Sequence, residues 1–146
     1  MTVTSNKHRS GLPIALFAGC AWSHGSSAQL VPDQLPQHQL ALGVDSGLRP
    51  NSGDGLRASP VLVYSTDVHV PGAAWLRLWF SDTILPGDPA ADGAVLRLTS
   101  LLDGATQHLD AQSLAWWSNS SAYFNGERVR VELFAYPGTG SARVNI

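Results

Sequence analysis

From Val61 onward, short stretches in which apolar and polar residues alternate make up most of the chain. The alternation is clearest in AWLRLWF, residues 74–80. Successive side chains of a β-strand point to opposite faces, so this stretch predicts a strand with two different faces. The face toward the core is predicted to carry Ala74, Leu76, Leu78 and Phe80. The opposite face is predicted to carry Trp75, Arg77 and Trp79.

The same period of two predicts further short strands that are separated by turns. They are PVLVYSTDVHVP (60–71), AVLRLTS (94–100), ATQHL (105–109), ERVRVELFA (127–135) and ARVNI (142–146). Asp103-Gly104 and Asn125-Gly126 are dipeptides typical of tight hairpin turns. Several short strands with glycine turns between them indicate an all-β fold, an antiparallel β-sandwich.

A short helix is predicted in DAQSLAWW, between two of these strands. Asp110 offers a side-chain oxygen suited to an N-cap. Leu114 and Trp117, three positions apart, are predicted to form the buried edge of this helix. Neighbouring helical residues lie about 100° apart, so Trp116 and Trp117 cannot share one flat platform. We expect one of the two to close the end of the sandwich and the other to lie at the surface.

The first 28 residues have the pattern of a secretory signal peptide. A basic start at Lys7–Arg9 precedes the apolar run GLPIALFAGCAW, and Ser26-Ser27-Ala28 supplies small residues before a cleavage site. The apolar run is too short for a spanning helix, which needs about 20 residues, so no transmembrane span is expected. The protein is therefore predicted to be secreted or periplasmic, with a cleaved signal-peptide helix.

Two alternatives remain for this segment. Phe17-Ala18-Gly19-Cys20 is similar to a bacterial lipobox, which would make Cys20 a lipid-anchored first residue. The segment could also be an N-terminal core helix. With a signal peptide, the predicted domain organisation is a signal peptide 1–28, a turn-rich leader 29–57 with a short strand around Gln39–Val44, and a β-sandwich domain 58–146. Because Ile146 falls within a strand pattern, we expect the sequence to continue, unless a short protein ends in an edge strand.

Composition excludes several functional classes. Charged residues make up 14% of the chain and the net charge is −2, with no basic patch, so nucleic-acid binding has no support. Residues 29–146 contain no cysteine, which excludes disulfides and thiolate metal sites there. This part has seven arginines and eleven acidic residues.

No catalytic motif stands out, and the chain is predicted not to be an enzyme. Gly43-Val44-Asp45-Ser46-Gly47 is only weakly similar to the glycine-flanked serine of a serine protease, and no histidine motif accompanies it. Asp67 and His69 share one strand face and could form a hydrogen bond, but no nucleophile is implied.

An acidic loop is the one candidate metal site. Asp82, Asp88 and Asp92 follow one another in a stretch rich in glycine and proline, and oxygen-rich loops can bind calcium. Their spacing matches no tight calcium loop, and aspartates at turns more often cap the local backbone. No cofactor is therefore expected, with calcium as the weaker alternative.

The face formed by Trp75, Arg77 and Trp79 is the candidate ligand or partner surface. An arginine between two tryptophans can stack on both rings. Exposed tryptophans on a sheet suit sugar rings or a partner protein. The alternative is that a loop or another domain covers them. Tyr123 and Phe124 are expected to point to opposite faces of their strand.

Residues 58–146 resemble the non-catalytic domain that precedes the peptidase domain of some secreted bacterial trypsin-like serine proteases. The resemblance rests on AAWLRLWFSDTIL, LTSLLDGATQHLDAQSL and SAYFNGERVRVEL. The pattern is more loosely similar to jelly-roll and CUB-type modules, although it lacks their usual disulfides and calcium pattern. The resemblance implies a secreted accessory domain that packs on or targets the downstream peptidase domain. The alternatives are a free-standing carbohydrate- or surface-binding module using Trp75 and Trp79, and a cell-surface protein anchored through Cys20.

Overall fold

The computed structural model describes residues 37–52 and 59–146. The predicted signal peptide, Cys20 and most of the predicted leader lie outside the described residues. Residues 40–146 form one compact unit.

Strands account for most of the regular structure. The elements are β1 (Val61–His69), β2 (Trp75–Leu76), β3 (Val95–Ser100), β4 (Thr106–Leu109), α1 (Ala111–Trp116), β5 (Phe124–Asn125) and β6 (Arg128–Ala135). A four-stranded sheet has the order β1-β6-β3-β4, and β2 pairs with β5 in a two-stranded sheet. Every pairing is antiparallel. The predicted all-β antiparallel class is confirmed.

The two predicted hairpin turns have different outcomes. Asp103-Gly104 joins β3 to β4, where Gly104 has a φ of 74° and the Asp103 carboxylate accepts the Ala105 backbone N–H at 3.0 Å. Asn125-Gly126 does not close a hairpin, because β5 and β6 lie in different sheets. The Ser100 hydroxyl donates to the Asn125 carbonyl at 2.9 Å, and this contact holds the chain where it passes from one sheet to the other.

Isolated β-bridges bring distant segments of the chain together. They join Asp45 to Asn145, Arg49 to Ala142, Trp79 to Ser120 and Ile84 to Arg143. The short strand predicted around Gln39–Val44 is absent from that position, and pairing occurs instead at the two bridges that follow it. The predicted strand 142–146 is likewise present only as bridges. Residues 40–52, assigned to the leader from sequence, thus belong to the compact unit.

The core forms where the apolar faces of the alternating stretches meet. The inward positions predicted for three stretches are buried: Leu76, Leu78 and Phe80; Leu96 and Leu98; Val129, Val131 and Leu133. All of them belong to one hydrophobic cluster. Ala74, also predicted inward, is exposed at the entrance to β2. The side chains at the alternate positions of the same stretches consequently point away from the core.

Helix α1 begins at a capping box. The Asp110 carboxylate accepts the Ser113 backbone N–H at 2.7 Å, while the Ser113 hydroxyl accepts the Asp110 N–H at 2.8 Å. Leu114 is buried, as predicted. The predicted burial of Trp117 is wrong: the helix ends at Trp116, and Trp116 and Trp117 are 75% and 44% exposed. Since neither tryptophan is buried, the expectation that one of the two closes the end of the sandwich is also wrong.

An ion pair ties the N-terminal part of the unit to its last segment. Arg143 donates twice to the Asp45 carboxylate, at 2.9 and 2.7 Å, across 98 residues of sequence. The Arg143 guanidinium, together with the Gly47 backbone N–H, lowers the pKa of Asp45 from 3.8 to about 2. Protonation of Asp45 is therefore easier in the unfolded chain than in the folded one.

We expect this ion pair to make stability sensitive to acid. A carboxylate with a lowered pKa stabilises the folded state fully above its unfolded pKa, and that contribution disappears as the pH falls from about 4 through about 2. The urea midpoint should therefore fall more between pH 6 and pH 2.5 in the native protein than in Asp45→Asn. Other acidic groups titrate in both proteins, so the difference between the two falls measures the contribution of the Asp45–Arg143 pair. Equal falls would contradict the prediction that this pair stabilises the folded state.

Candidate functional site

The predicted face of residues 75–79 contains one continuous row of side chains. Because β2 pairs with β5 through Trp75–Asn125 and Leu76–Phe124, the residue before β5, Tyr123, lies beside this face. We call Trp75, Tyr123, Arg77 and Trp79, in order of contact, the aromatic row. Phe124 is buried while Tyr123 is exposed, so these two neighbours point to opposite faces as predicted.

Each member of the aromatic row touches the next. Trp75 and Tyr123 meet edge to face, with ring centroids 4.9 Å apart and planes at 79°. The Arg77 guanidinium carbon lies 5.2 Å from the Tyr123 centroid and 5.0 Å from the Trp79 centroid. These distances are typical of cation–π contacts. Arg77 thus links two aromatic rings into one surface.

Hydrogen bonds hold the Arg77 guanidinium in place. Its Nε donates to the Ser121 carbonyl at 3.1 Å, and one terminal nitrogen donates to the Ser120 hydroxyl at 2.7 Å. The other terminal nitrogen lies 3.4 Å from the Tyr123 hydroxyl. Ser120 is itself buried and donates to the Trp117 carbonyl at 2.6 Å. The cation is therefore positioned by groups that are themselves fixed.

Exposure varies along the aromatic row. Trp79 is 49% exposed and Tyr123 is 55% exposed, whereas Trp75 and Arg77 are half-buried. Within residues 37–52 and 59–146, no loop covers Trp79. The structure brings together the three side chains chosen from sequence and adds Tyr123, Ser120 and Ser121. Those additions depend on cross-strand pairing, which has no local signal in the sequence.

The outer face of the four-stranded sheet offers a second surface of different character. A groove of about 530 Å³ lies there, lined in part by Arg97, Thr106, His108, Arg130 and Glu132. Arg97 donates twice to Glu132, at 2.8 and 2.9 Å, and the same hydrogen bonds lower the pKa of Glu132.

Arg130 in this groove is paired in the same way, through two hydrogen bonds to the Asp67 carboxylate at 2.8 and 3.3 Å. Both arginines of the groove are thus paired with carboxylates, Arg97 with Glu132 and Arg130 with Asp67. His69 lies 3.2 Å from Glu127, so the hydrogen bond considered between Asp67 and His69 does not form.

The serine of the weak protease-like stretch has structural partners. Ser46 is buried; its hydroxyl donates to the Gly47 carbonyl at 2.8 Å and accepts the Val144 N–H at 2.9 Å. Asp45, beside it, is engaged by Arg143. This stretch therefore connects the N-terminal and C-terminal parts of the unit.

The acidic loop uses its carboxylates on its own backbone. Asp92 accepts the Asp88 N–H at 2.8 Å, and Asp88 accepts the Ala90 N–H at 2.9 Å. Asp82 is exposed, in a left-handed backbone conformation with a φ of 42°. Among the described residues, no group of three or more histidine, cysteine or acidic side chains is arranged to hold a metal ion.

In the part of the chain that the structure describes, no helix has the length and apolar character needed to cross a membrane. Comparisons of the chain with protein-family models, with curated proteins and with solved structures found no match in any of the three.

Proposed function

We propose that this chain is a secreted, non-catalytic module with a jelly-roll or CUB-like sandwich fold, and that its aromatic row binds carbohydrate. The observation that carries the proposal is the half-exposed ring of Trp79, fixed beside a positioned arginine in the segment that follows β2. Contiguous exposed aromatic surface on a soluble domain marks an interaction site.

The chemistry of the row favours a sugar ring. The C–H groups on one face of a pyranose are apolar and weakly positive, and they match the negative face of an aromatic ring. One face of Trp79 is directed to the Arg77 guanidinium, and since the residue is 49% exposed, the ring still has surface for a ligand. Tyr123 adds a hydroxyl, and small-molecule sites commonly combine aromatic walls with a few placed polar groups.

The resemblance of residues 58–146 supports a place for this module ahead of a trypsin-like peptidase domain. A bound polysaccharide would then hold the peptidase at a cell or matrix surface. In a second version of this proposal, the peptidase domain itself packs on the aromatic row. Both versions would be contradicted by an open reading frame downstream of Ile146 that lacks a Ser/His/Asp peptidase domain.

The alternative of a lipid anchor at Cys20 has a separate test. An unmodified Gln29 at the mature N-terminus would exclude that anchor.

Substitution of Trp79 by alanine should weaken polysaccharide binding about tenfold or more, because the stacking surface is lost. The measurement is affinity electrophoresis against dextran, cellulose derivatives, polygalacturonate and dextran sulfate. Trp116→Ala is the matched control, since Trp116 is more exposed but lies outside the aromatic row. Both variants should keep the native urea midpoint, as expected for exposed positions.

Two results would contradict the proposed function. One is that no polysaccharide in the set retards the native protein. The other is that Trp79→Ala and Trp116→Ala lose binding equally, which would indicate general adhesion of exposed tryptophans. Protection of tryptophan fluorescence from acrylamide by the downstream polypeptide, present in the native protein and absent in Trp79→Ala, would favour the packing version if no polysaccharide binds.

A further inference from the structure

Three arginines of the described chain are paired with carboxylates, whereas Arg77 is not. Arg97, Arg130 and Arg143 each donate to a carboxylate. Among the described residues, Arg77 has no carboxylate partner; its acceptors are a serine hydroxyl, a backbone carbonyl and a tyrosine hydroxyl. The positive charge within the aromatic row is therefore not neutralised by an acid there.

The Arg77 guanidinium also has donors to spare. It carries five N–H groups, of which three are directed to the protein groups named above. Since arginine stays protonated and its planar fork suits carboxylates and sulfates, the remaining donors favour an anionic acceptor over a neutral hydroxyl.

The protein fixes this cation before any ligand arrives. Ser120 and Ser121 are both buried, and Ser121 additionally accepts the Leu78 N–H at 2.9 Å and donates to the Ala122 carbonyl at 2.7 Å. The rings of Trp79 and Tyr123 restrict the guanidinium from the sides. A ligand therefore binds Arg77 with little further loss of side-chain entropy.

We propose that the ligand of the aromatic row is an acidic polysaccharide, which packs one sugar ring on the exposed surface of Trp79 while a carboxylate or sulfate of the neighbouring sugar unit binds Arg77. The inference rests on the proposed carbohydrate function and adds the charge of the ligand. A uronic acid or sulfated sugar carries its charge at the edge of the ring. Because Arg77 lies over one face of the Trp79 ring, the indole would separate it from a sugar stacked on the opposite face. The charged group that reaches Arg77 is therefore carried by the next unit of the polymer.

Charges elsewhere in the protein distinguish a specific contact at Arg77 from general electrostatic attraction. The chain carries a net charge of −2, so general electrostatic attraction to a polyanion is not expected. Arg128 is an exposed arginine outside the aromatic row, on the outer face of the four-stranded sheet, with no ion pair among the described residues. Arg128→Gln therefore removes the same charge as Arg77→Gln, but at a position outside the aromatic row.

The test compares polymers that share a backbone and differ in charge. Polygalacturonate is set against its methyl ester for carboxylate, and dextran sulfate against dextran for sulfate. We expect at least one acidic polymer to bind about tenfold or more tightly than its neutral partner. Arg77→Gln should remove that preference and Arg128→Gln should keep it within about twofold. The unfolding midpoint of each variant is measured in parallel.

The outcomes separate this inference from the proposed function. Equal binding of acidic and neutral polymers that is lost in Trp79→Ala would overturn the inference and leave the carbohydrate function standing. The absence of binding to all four polymers would overturn both. Because the polymer comparison uses the native protein, the inference stays testable even where Arg77→Gln fails to fold. The preferred acidic polymer identifies carboxylate or sulfate as the source of the charge.

Discussion

Replacement of Leu98 by alanine is expected to lower the free energy of unfolding by about 2–5 kcal/mol. Leu98 is fully buried in β3, one of the two central strands of the four-stranded sheet. It pairs with Val131 on one side and with Gln107 on the other. Truncation removes apolar contacts and leaves a cavity that neighbouring strands can close only in part.

Urea denaturation monitored by tryptophan fluorescence measures the effect of Leu98→Ala. The control is Leu48→Ala, which deletes the same atoms from a side chain that is 62% exposed and should change stability by no more than about 0.5 kcal/mol. Comparable losses in the two variants would show that Leu98 does not lie in a close-packed core.

The strand pattern could be predicted from sequence because alternation is a local property. Each neighbour in a strand takes the opposite face whatever the partner strand is, so Leu96, Leu98 and Val131 could be assigned to the core without knowledge of the topology. The same reasoning placed Trp75, Arg77 and Trp79 on one face.

Pairing between distant segments could not be predicted in this way. Tyr123 enters the aromatic row because β5 pairs with β2, and Ser120 holds Arg77 across 43 residues of sequence. Asn125-Gly126 has the local signal of a hairpin. However, the Asn125 carbonyl accepts a hydrogen bond from Ser100 and the Asn125 side chain donates one to Asp103, so the chain turns toward the other sheet. Tertiary contacts outweighed turn propensity at this position.

The aromatic row illustrates how an exposed binding surface depends on buried polar groups. Ser120 and Ser121 are buried, and their hydrogen bonds fix both the Leu78 backbone and the Arg77 side chain. Loss of the Ser121 hydroxyl would leave the buried Leu78 N–H unsatisfied, which costs about 1–3 kcal/mol. The surface chemistry of the row therefore depends on the polar residues beneath it, which the sequence shows only as Ser-Ser.

The conformation of the loop between Leu85 and β3 depends on one glycine. Gly87 has a φ of 92°, and a Cβ atom there would collide with the carbonyl group of Asp92, whose carbon would lie at 2.9 Å. The loop is closed by hydrogen bonds from Gly93 N–H to the Asp88 carbonyl and from Ala94 N–H to the Pro86 carbonyl, both 2.7 Å. The obstructing atoms are backbone, so they cannot move away independently.

Gly87→Ala is accordingly expected to lower the free energy of unfolding by about 3 kcal/mol, from the left-handed conformation and the backbone collision together. Gly104→Ala is the matched control: its φ is 74°, but no atom lies within 4 Å of an added Cβ, so only about 1 kcal/mol should be lost. Urea midpoints measured for both variants test the difference. Equal losses would mean that the collision is relieved by movement of the loop, and that the close approach of Gly87 to Asp92 is not required for the fold.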